Sequence, residues 1–162
     1  MGKKVRKTRG LRINNPLNIV KSAKPWVGEV LPGKDPEFCT FTSMAFGYRA
    51  AFITLNTYNR KHGIYSIRQI INRWCPPSDK RNNTQAYIKF VCMHMGVEPT
   101  HTIVVNAAYH DDIEEAKEFV KWMAYQEQGL DQDIDLKALE EGWKLAFRPP
   151  SALEGTAFYG KD

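Results

Sequence analysis

The chain has 162 residues, of which 43% are hydrophobic and 25% charged, and this balance is typical of a soluble globular protein with one domain. No apolar run approaches the roughly 18 residues of a membrane helix, so the sequence predicts no membrane span.

The net charge of +5 favours an anionic partner such as nucleic acid, acidic lipid or a bacterial wall, although a solvated tail would carry the same charge. No apolar core follows the basic start, which predicts no Sec-type signal peptide. Three cysteines without metal-ligand spacing favour folding in a reducing cytoplasm.

The composition divides the chain into a flexible basic arm over residues 1–8, a single domain over residues 9–150 and a C-terminal tail over residues 151–162. Residues 9–42 are predicted to be irregular, with short strands. Within them, residues 26–30 and 38–41 are predicted to pair as a β-hairpin, because prolines and a glycine between them favour a turn.

Helices dominate the rest of the domain, because apolar residues recur at helical spacing between capping and stop residues. The five predicted helices run from Ser43 to about Tyr58, from Ser66 to Pro76, from Asn83 or Thr84 to Gly96, from near Asp111 to Gly129, and from about Asp135 to Phe147, where Pro149 and Pro150 follow. Ser66 and Gln69 have the spacing of a capping box. The predicted class is therefore mainly α with a small β-hairpin.

Asparagines are concentrated in residues 9–19, where Asn14, Asn15 and Asn18 flank a proline. An asparagine side chain both donates and accepts hydrogen bonds, so a cluster of them suits a sugar rich in hydroxyl and acetamido groups. A polar turn whose asparagines cap the next element would show the same pattern. Trp26, in the irregular region, is a candidate to stack on a sugar. Tyr87 and Tyr125 are further candidates, although aromatics at helical spacing usually belong to the core.

Glu127 occupies an unusual position at the end of the fourth predicted helix. It continues an apolar stripe through Val120, Met123 and Ala124, and Gly129 follows as the stop. A carboxylate there would face the core side and the negative end of the helix dipole. Both effects would raise its pKa, as a general acid needs, unless the last turn frays and leaves it in water.

A second carboxyl group would be needed by most glycosidases. The hairpin region offers Glu29, Asp35 and Glu37, although loop acids are commonly just solvated. The histidines have no metal-ligand spacing, and no phosphate-binding or zinc motif is present, so the sequence implies no metal and no organic cofactor.

These segments together resemble a phage and prophage family of the lysozyme superfamily, whose members are labelled as virion structural proteins or cell-wall lytic enzymes. The shared segments are Arg9–Ile19, Trp26–Gly28, Asp35 with Phe38 and Phe41, Ser43–Ala50, Ile70–Pro77, Asn82–Ile88, and Glu127 with Gly129. The resemblance covers roughly residues 9–147 and implies a lysozyme-like fold.

Residues 14–43 are also similar to a stretch of bacterial glucosaminidases and lytic transglycosylases. Those enzymes carry their glutamate helix upstream of this stretch, whereas here Tyr125–Gly129 lies far downstream. We therefore expect a circularly permuted lysozyme-like domain in which Glu127 meets the asparagine loop in space.

The resemblance implies an enzyme of phage origin that cleaves peptidoglycan glycan strands. Glu127 would be the general acid, Asp35 or Glu29 would assist, and the asparagines would hold the sugar or order the loop. Other virion proteins are further candidate partners, and the site of action would be the cell wall or the virion after synthesis in the host cytoplasm. The main alternative is a non-enzymatic virion structural or wall-binding protein. A nucleic-acid-binding module rests on charge alone, and we predict no nucleic-acid partner.

Overall fold

The computed structural model describes residues 4–105 and 113–147. The predicted class is confirmed in its main part, because helices make up most of this region. The six helices are α1 (Arg9–Arg12), α2 (Met44–His62), α3 (Ile67–Trp74), α4 (Thr84–Met95), α5 (Ile113–Gln128) and α6 (Leu136–Phe147). Among the described helices, none is both long and apolar enough to cross a membrane.

Local capping chemistry sets the limits of the central helices. The side chains of Ser43 and Asn83 accept hydrogen bonds from the first turns of α2 and α4. Ser66 forms the predicted capping box with Gln69 at the start of α3. Helix α2 continues one turn beyond its predicted end at Tyr58, because the chain meets no break before Gly63, which adopts the left-handed conformation.

The predicted β-hairpin is replaced by single antiparallel bridges in the described residues. Glu29 is bridged to Phe41, whereas Phe38 is bridged to Val20 instead of to the segment that precedes the turn. Residues 26–29 form a tight turn, since the Glu29 amide donates to the carbonyl of Trp26 at 3.1 Å. This turn interrupts the first predicted strand, so the 38–41 segment divides its backbone hydrogen bonds between two partners.

The main core lies between α2 and the helices around it. Phe52 on α2 packs edge-to-face against Trp143 on α6, with ring centroids 5.8 Å apart. A Cβ atom on Gly142 would lie 2.5 Å from that of Tyr48, so only glycine permits this close packing of α6 on α2. Helices α3, α4 and α5 complete the core with Ile67, Ile70, Ile71, Tyr87, Val91, Phe119 and Met123.

The N-terminal segment is attached to the end of α5. The Gln132 side chain donates to the carbonyl of Arg6 and accepts from the amide of Thr8, although this part was predicted to be a flexible arm. Several predicted features lie outside the described residues: residues 1–3 of the arm, the helix start at Asp111, Pro149 with Pro150, and the tail over residues 151–162.

Candidate active site

The asparagine loop is ordered by its own side chains. Asn15 is fully buried, and its amide group donates to the carbonyls of Ile19 and Cys39 while its oxygen accepts from the Ile19 amide. Asn14 has a positive φ of 58° and donates to the carbonyl of Phe41. Asparagine tolerates this left-handed conformation better than most residues. Both side chains therefore hold the loop against residues 39–41.

Asn18 connects this loop to the end of α5. It also has a positive φ, of 53°, which turns its side chain toward the helix end. Its Oδ1 atom accepts a hydrogen bond of 3.1 Å from Gln128, and its Nδ2 atom donates a long hydrogen bond of 3.5 Å to Oε2 of Glu127. The structure thus brings together two residues that are separated by more than a hundred positions in the chain.

Glu127 lies in the last turn of α5, with its side chain half-buried. Protein atoms surround most of the side chain, although part of it keeps contact with solvent. Loss of hydration raises the pKa of Glu127 from its ordinary value of 4.5 to about 7, and the hydrogen bond from Asn18 opposes this rise. The negative end of the helix dipole disfavours the carboxylate as well. The Glu127 carboxyl group is therefore more readily protonated near neutral pH than an exposed glutamate.

Glu127 lines a cleft of about 470 Å³, within the range of small-molecule sites. The lining is provided by Arg9, Leu17, Asn18, Val20, Glu37, Phe38, Trp74, Cys75, Pro76, Asp79, Arg81, Asn82 and Glu127. A neighbouring depression of about 200 Å³ shares Asn18, Val20 and Trp74 with the cleft and adds Ile19, Thr54 and Tyr58. The cleft and the depression adjoin at the residues that they share.

Ion pairs occupy the rim of this cleft. Arg81 contacts Glu37 at 3.2 Å and Asp79 at 2.9 Å, and Arg9 lies 3.7 Å from Glu37 and stacks over the ring of Phe38. Two cations are thus matched by two carboxylates. The lining has little net charge, which suits a neutral, polar ligand better than a polyanion.

The two acids predicted to assist Glu127 lie elsewhere. Asp35 is buried and makes a two-pronged contact with Arg9, at 2.6 and 2.7 Å, and it accepts from the amides of Glu37 and Phe38. These donors hold its pKa well below its usual range. Glu29 is buried and accepts from the Trp26 amide. Neither acid is among the described residues that line the cleft.

The three predicted stacking residues lie outside the cleft lining. Trp26 is buried with Cys39, Phe41 and Ala50 in a second, smaller core. Tyr87 is buried beneath the site and interacts electrostatically with Glu127. Tyr125 packs on the main core, with its ring 5.3 Å from that of Trp122. Of the aromatic residues, Phe38 and Trp74 line the cleft instead.

Sequence reasoning missed Gln128, which is 4% exposed and contacts the asparagine loop directly. One signal could have found it, because Gln128 stands four residues after Ala124 and eight after Val120 on the apolar stripe. A polar side chain on such a stripe needs buried partners. The roles of Glu37, Asp79 and Arg81 at the rim left no such signal, since Glu37 lies on a different loop from Asp79 and Arg81.

Comparison with known proteins indicates a phage origin. The chain is 42% identical over 92 residues to Protein P5 of Pseudoalteromonas phage PM2. The matched stretch covers 55% of this chain and 56% of that protein, so the chain spans little more than half of its relative. No family model matches the chain.

Proposed function

We propose that this protein of phage origin cleaves the glycan strands of peptidoglycan, with Glu127 as the general acid. The observation that carries the proposal is the placement of the Glu127 carboxyl group on the wall of the cleft beside Asn18, where loss of hydration raises its pKa to about 7. A general acid works best when its pKa lies near the working pH. The ion-paired rim leaves the lining with little net charge, which further supports a neutral glycan as the ligand.

In the proposed reaction, protonated Glu127 gives its proton to the glycosidic oxygen as the bond from that oxygen to the anomeric carbon breaks. In hydrolysis, water adds to the anomeric carbon and gives its proton to a carboxylate. In a lytic transglycosylase route, the 6-hydroxyl group of the same sugar attacks instead and returns a proton to Glu127. Asp35 and Glu29 lie away from the lining, so hydrolysis would need one of the ion-paired carboxylates of the rim, whereas the second route needs no second acid.

The test is digestion of purified, insoluble peptidoglycan by the native protein and by Glu127→Gln. We expect soluble fragments from the native protein and a loss of about 10²–10⁴-fold in the variant, the range of general acid catalysis. Glu114→Gln is the matched control, because Glu114 lies in the first turn of the same helix with its side chain 84% exposed. It should keep full activity.

Product masses distinguish the two routes, because transglycosylase products are lighter by one water molecule than hydrolysis products. Release by neither protein from any wall type would overturn the proposed activity. Equal release by the native protein and Glu127→Gln would remove Glu127 from the mechanism.

A non-enzymatic virion or wall-binding protein is the second candidate. The similarity to a phage protein, Protein P5, is consistent with this candidate. Sedimentation with purified peptidoglycan by both the native protein and Glu127→Gln, without any release of fragments, would support this alternative.

A further inference from the structure

We propose that Gln128 is a positioning residue, which acts through Asn18 to direct the proton of Glu127 into the cleft. The general-acid part of this inference rests on the proposed function. The hydrogen-bond geometry on which it is built does not. Its structural basis is a series of hydrogen bonds that joins one backbone carbonyl and three side chains. Each partner in the series fixes the orientation of the next.

The series of hydrogen bonds begins at the carbonyl of Pro16, which can only accept a hydrogen bond. The Gln128 Nε2 atom donates to it at 2.9 Å, so the amide of Gln128 has a fixed orientation. Its Oε1 atom accepts from the hydroxyl of Thr8, which supports the same orientation. Gln128 is buried, so water offers its amide no competing partners.

The fixed amide of Gln128 then determines how Asn18 is turned. The second hydrogen of Nε2 points to the Asn18 side chain, which must present its oxygen and accepts at 3.1 Å. The amino group of Asn18 is therefore directed to Oε2 of Glu127. The NH2 group of the Asn18 amide can only donate, so Oε2 must accept from it. The proton of neutral Glu127 is therefore placed on the other oxygen, Oε1.

Gly10 provides independent support, because it makes room for the two amides. A Cβ atom at Gly10 would lie 2.3 Å from Oδ1 of Asn18 and 2.4 Å from Nε2 of Gln128. It would also lie 2.6 Å from the backbone carbonyl oxygen of Asn15, so the clash could not be relieved by side-chain movement alone. The loop and the helix end are thus fitted closely around the contact between Asn18 and Gln128.

This arrangement makes Glu127 sensitive to Gln128. Other groups also face the carboxyl: Cys75 at the end of α3, Tyr87 on α4, and Arg9, Glu37, Asp79 and Arg81 around the cleft. A neutral substitution at Gln128 changes none of these charges. It removes the restraint on Asn18, whose oxygen can then turn toward Glu127 and disfavour the carboxylate.

The experiment compares Gln128→Met with Gln132→Met by carboxyl NMR titration of Glu127. Gln132 is a matched control, because it is a buried glutamine that binds Arg6 and Thr8 of the same N-terminal segment without contacting Asn18. We expect Gln128→Met to raise the pKa of Glu127 by about 0.5–1 unit and Gln132→Met to leave it unchanged. The alkaline limb of any pH–activity profile should move by the same amount.

Equal pKa values in the native protein and Gln128→Met would overturn the inference, as would equal shifts in both variants. If Gln128→Met does not fold, a titration of the native protein tests the inference instead. The side-chain amide protons of Asn18 should shift with the same midpoint as Glu127, and amide protons that do not respond to this titration would overturn the inference. A pKa that responds as expected in a protein without peptidoglycan activity would refute the proposed function and leave the positioning role intact.

Discussion

Glu127 and Asp35 are two carboxyl groups of one small domain, and their surroundings shift their pKa values in opposite directions. Glu127 faces one amino group and little water, so the pKa of its carboxyl is raised to about 7. Asp35 is met by the guanidinium of Arg9 and by two backbone amides, so the pKa of its carboxyl is held well below its usual range. Loss of hydration dominates at Glu127, whereas a charged donor and backbone amides dominate at Asp35, and this difference separates an acid that can release a proton from one that anchors a loop.

Among changes that leave the sequence intact, the largest effect should come from changing the pH of the reaction. A general acid acts only while it is protonated, so activity should fall about tenfold for each unit above pH 7, or about 100-fold by pH 9. Initial rates of fragment release from peptidoglycan, measured across this range, check the prediction. A profile that stays flat to pH 9 would mean that Glu127 does not act as an acid.

Gly10→Ala should be the most harmful of the structural substitutions. The added methyl group would overlap Asn18 and Gln128, and we expect a loss of about 1–3 kcal/mol in the free energy of unfolding. Urea denaturation measures this loss. Gly63→Ala is a useful contrast, because its added Cβ would meet no atom within 4 Å and only the left-handed backbone would be strained. Equal losses in both variants would show that the contact near Asn18 is not tightly fitted.

Glu127→Gln should stabilise the protein at alkaline pH. The folded pKa of about 7 lies above the ordinary 4.5, so the unfolded chain loses its proton first as the pH rises. The free energy of unfolding of the native protein therefore falls between these values, and Glu127→Gln avoids this loss. We expect a gain of about 1–2 kcal/mol at pH 8 and none near pH 4. An equal gain at both pH values would contradict the raised pKa.

Asp35→Asn should have a smaller, opposite effect. The lowered pKa means that ionised Asp35 stabilises the fold above about pH 4, and this contribution disappears as the pH falls toward the folded pKa. We expect the melting temperature to fall by about 3–6 °C at pH 7 and by less at pH 3. Glu37→Gln, which removes a weaker contact at the same rim, should change it less. An equal fall in melting temperature at pH 3 would show that the effect of Asp35→Asn does not come from the charge of Asp35.

Local patterns were sufficient to predict much of the helical framework. The capping box at Ser66 and the left-handed stop at Gly96 are short-range features, and both are present. The position of Glu127 at the end of a helix also followed from spacing along that helix. The hairpin is not confirmed as a whole: Glu29 is bridged to Phe41, as the two predicted segments require, but Phe38 is bridged to Val20, a choice that depends on how the asparagine loop folds.

The remainder of the site depends on contacts between distant parts of the chain. Gln128 and Asn18 are 110 positions apart, and the rim joins Arg81 to Glu37 across 44 positions. A single sequence has no periodicity that reports such pairs. The same limitation applied to Asp35, which as a loop acid could have faced the cleft, until the structure placed it beside Arg9.

The most direct test of the contrast between the two acids is a carboxyl NMR titration of both in the same folded sample. From about pH 3 to about pH 9, we expect Glu127 to titrate with a midpoint near 7 while Asp35 stays ionised throughout. A midpoint for Glu127 near its ordinary 4.5 would leave it charged at neutral pH, which contradicts its assignment as the proton donor.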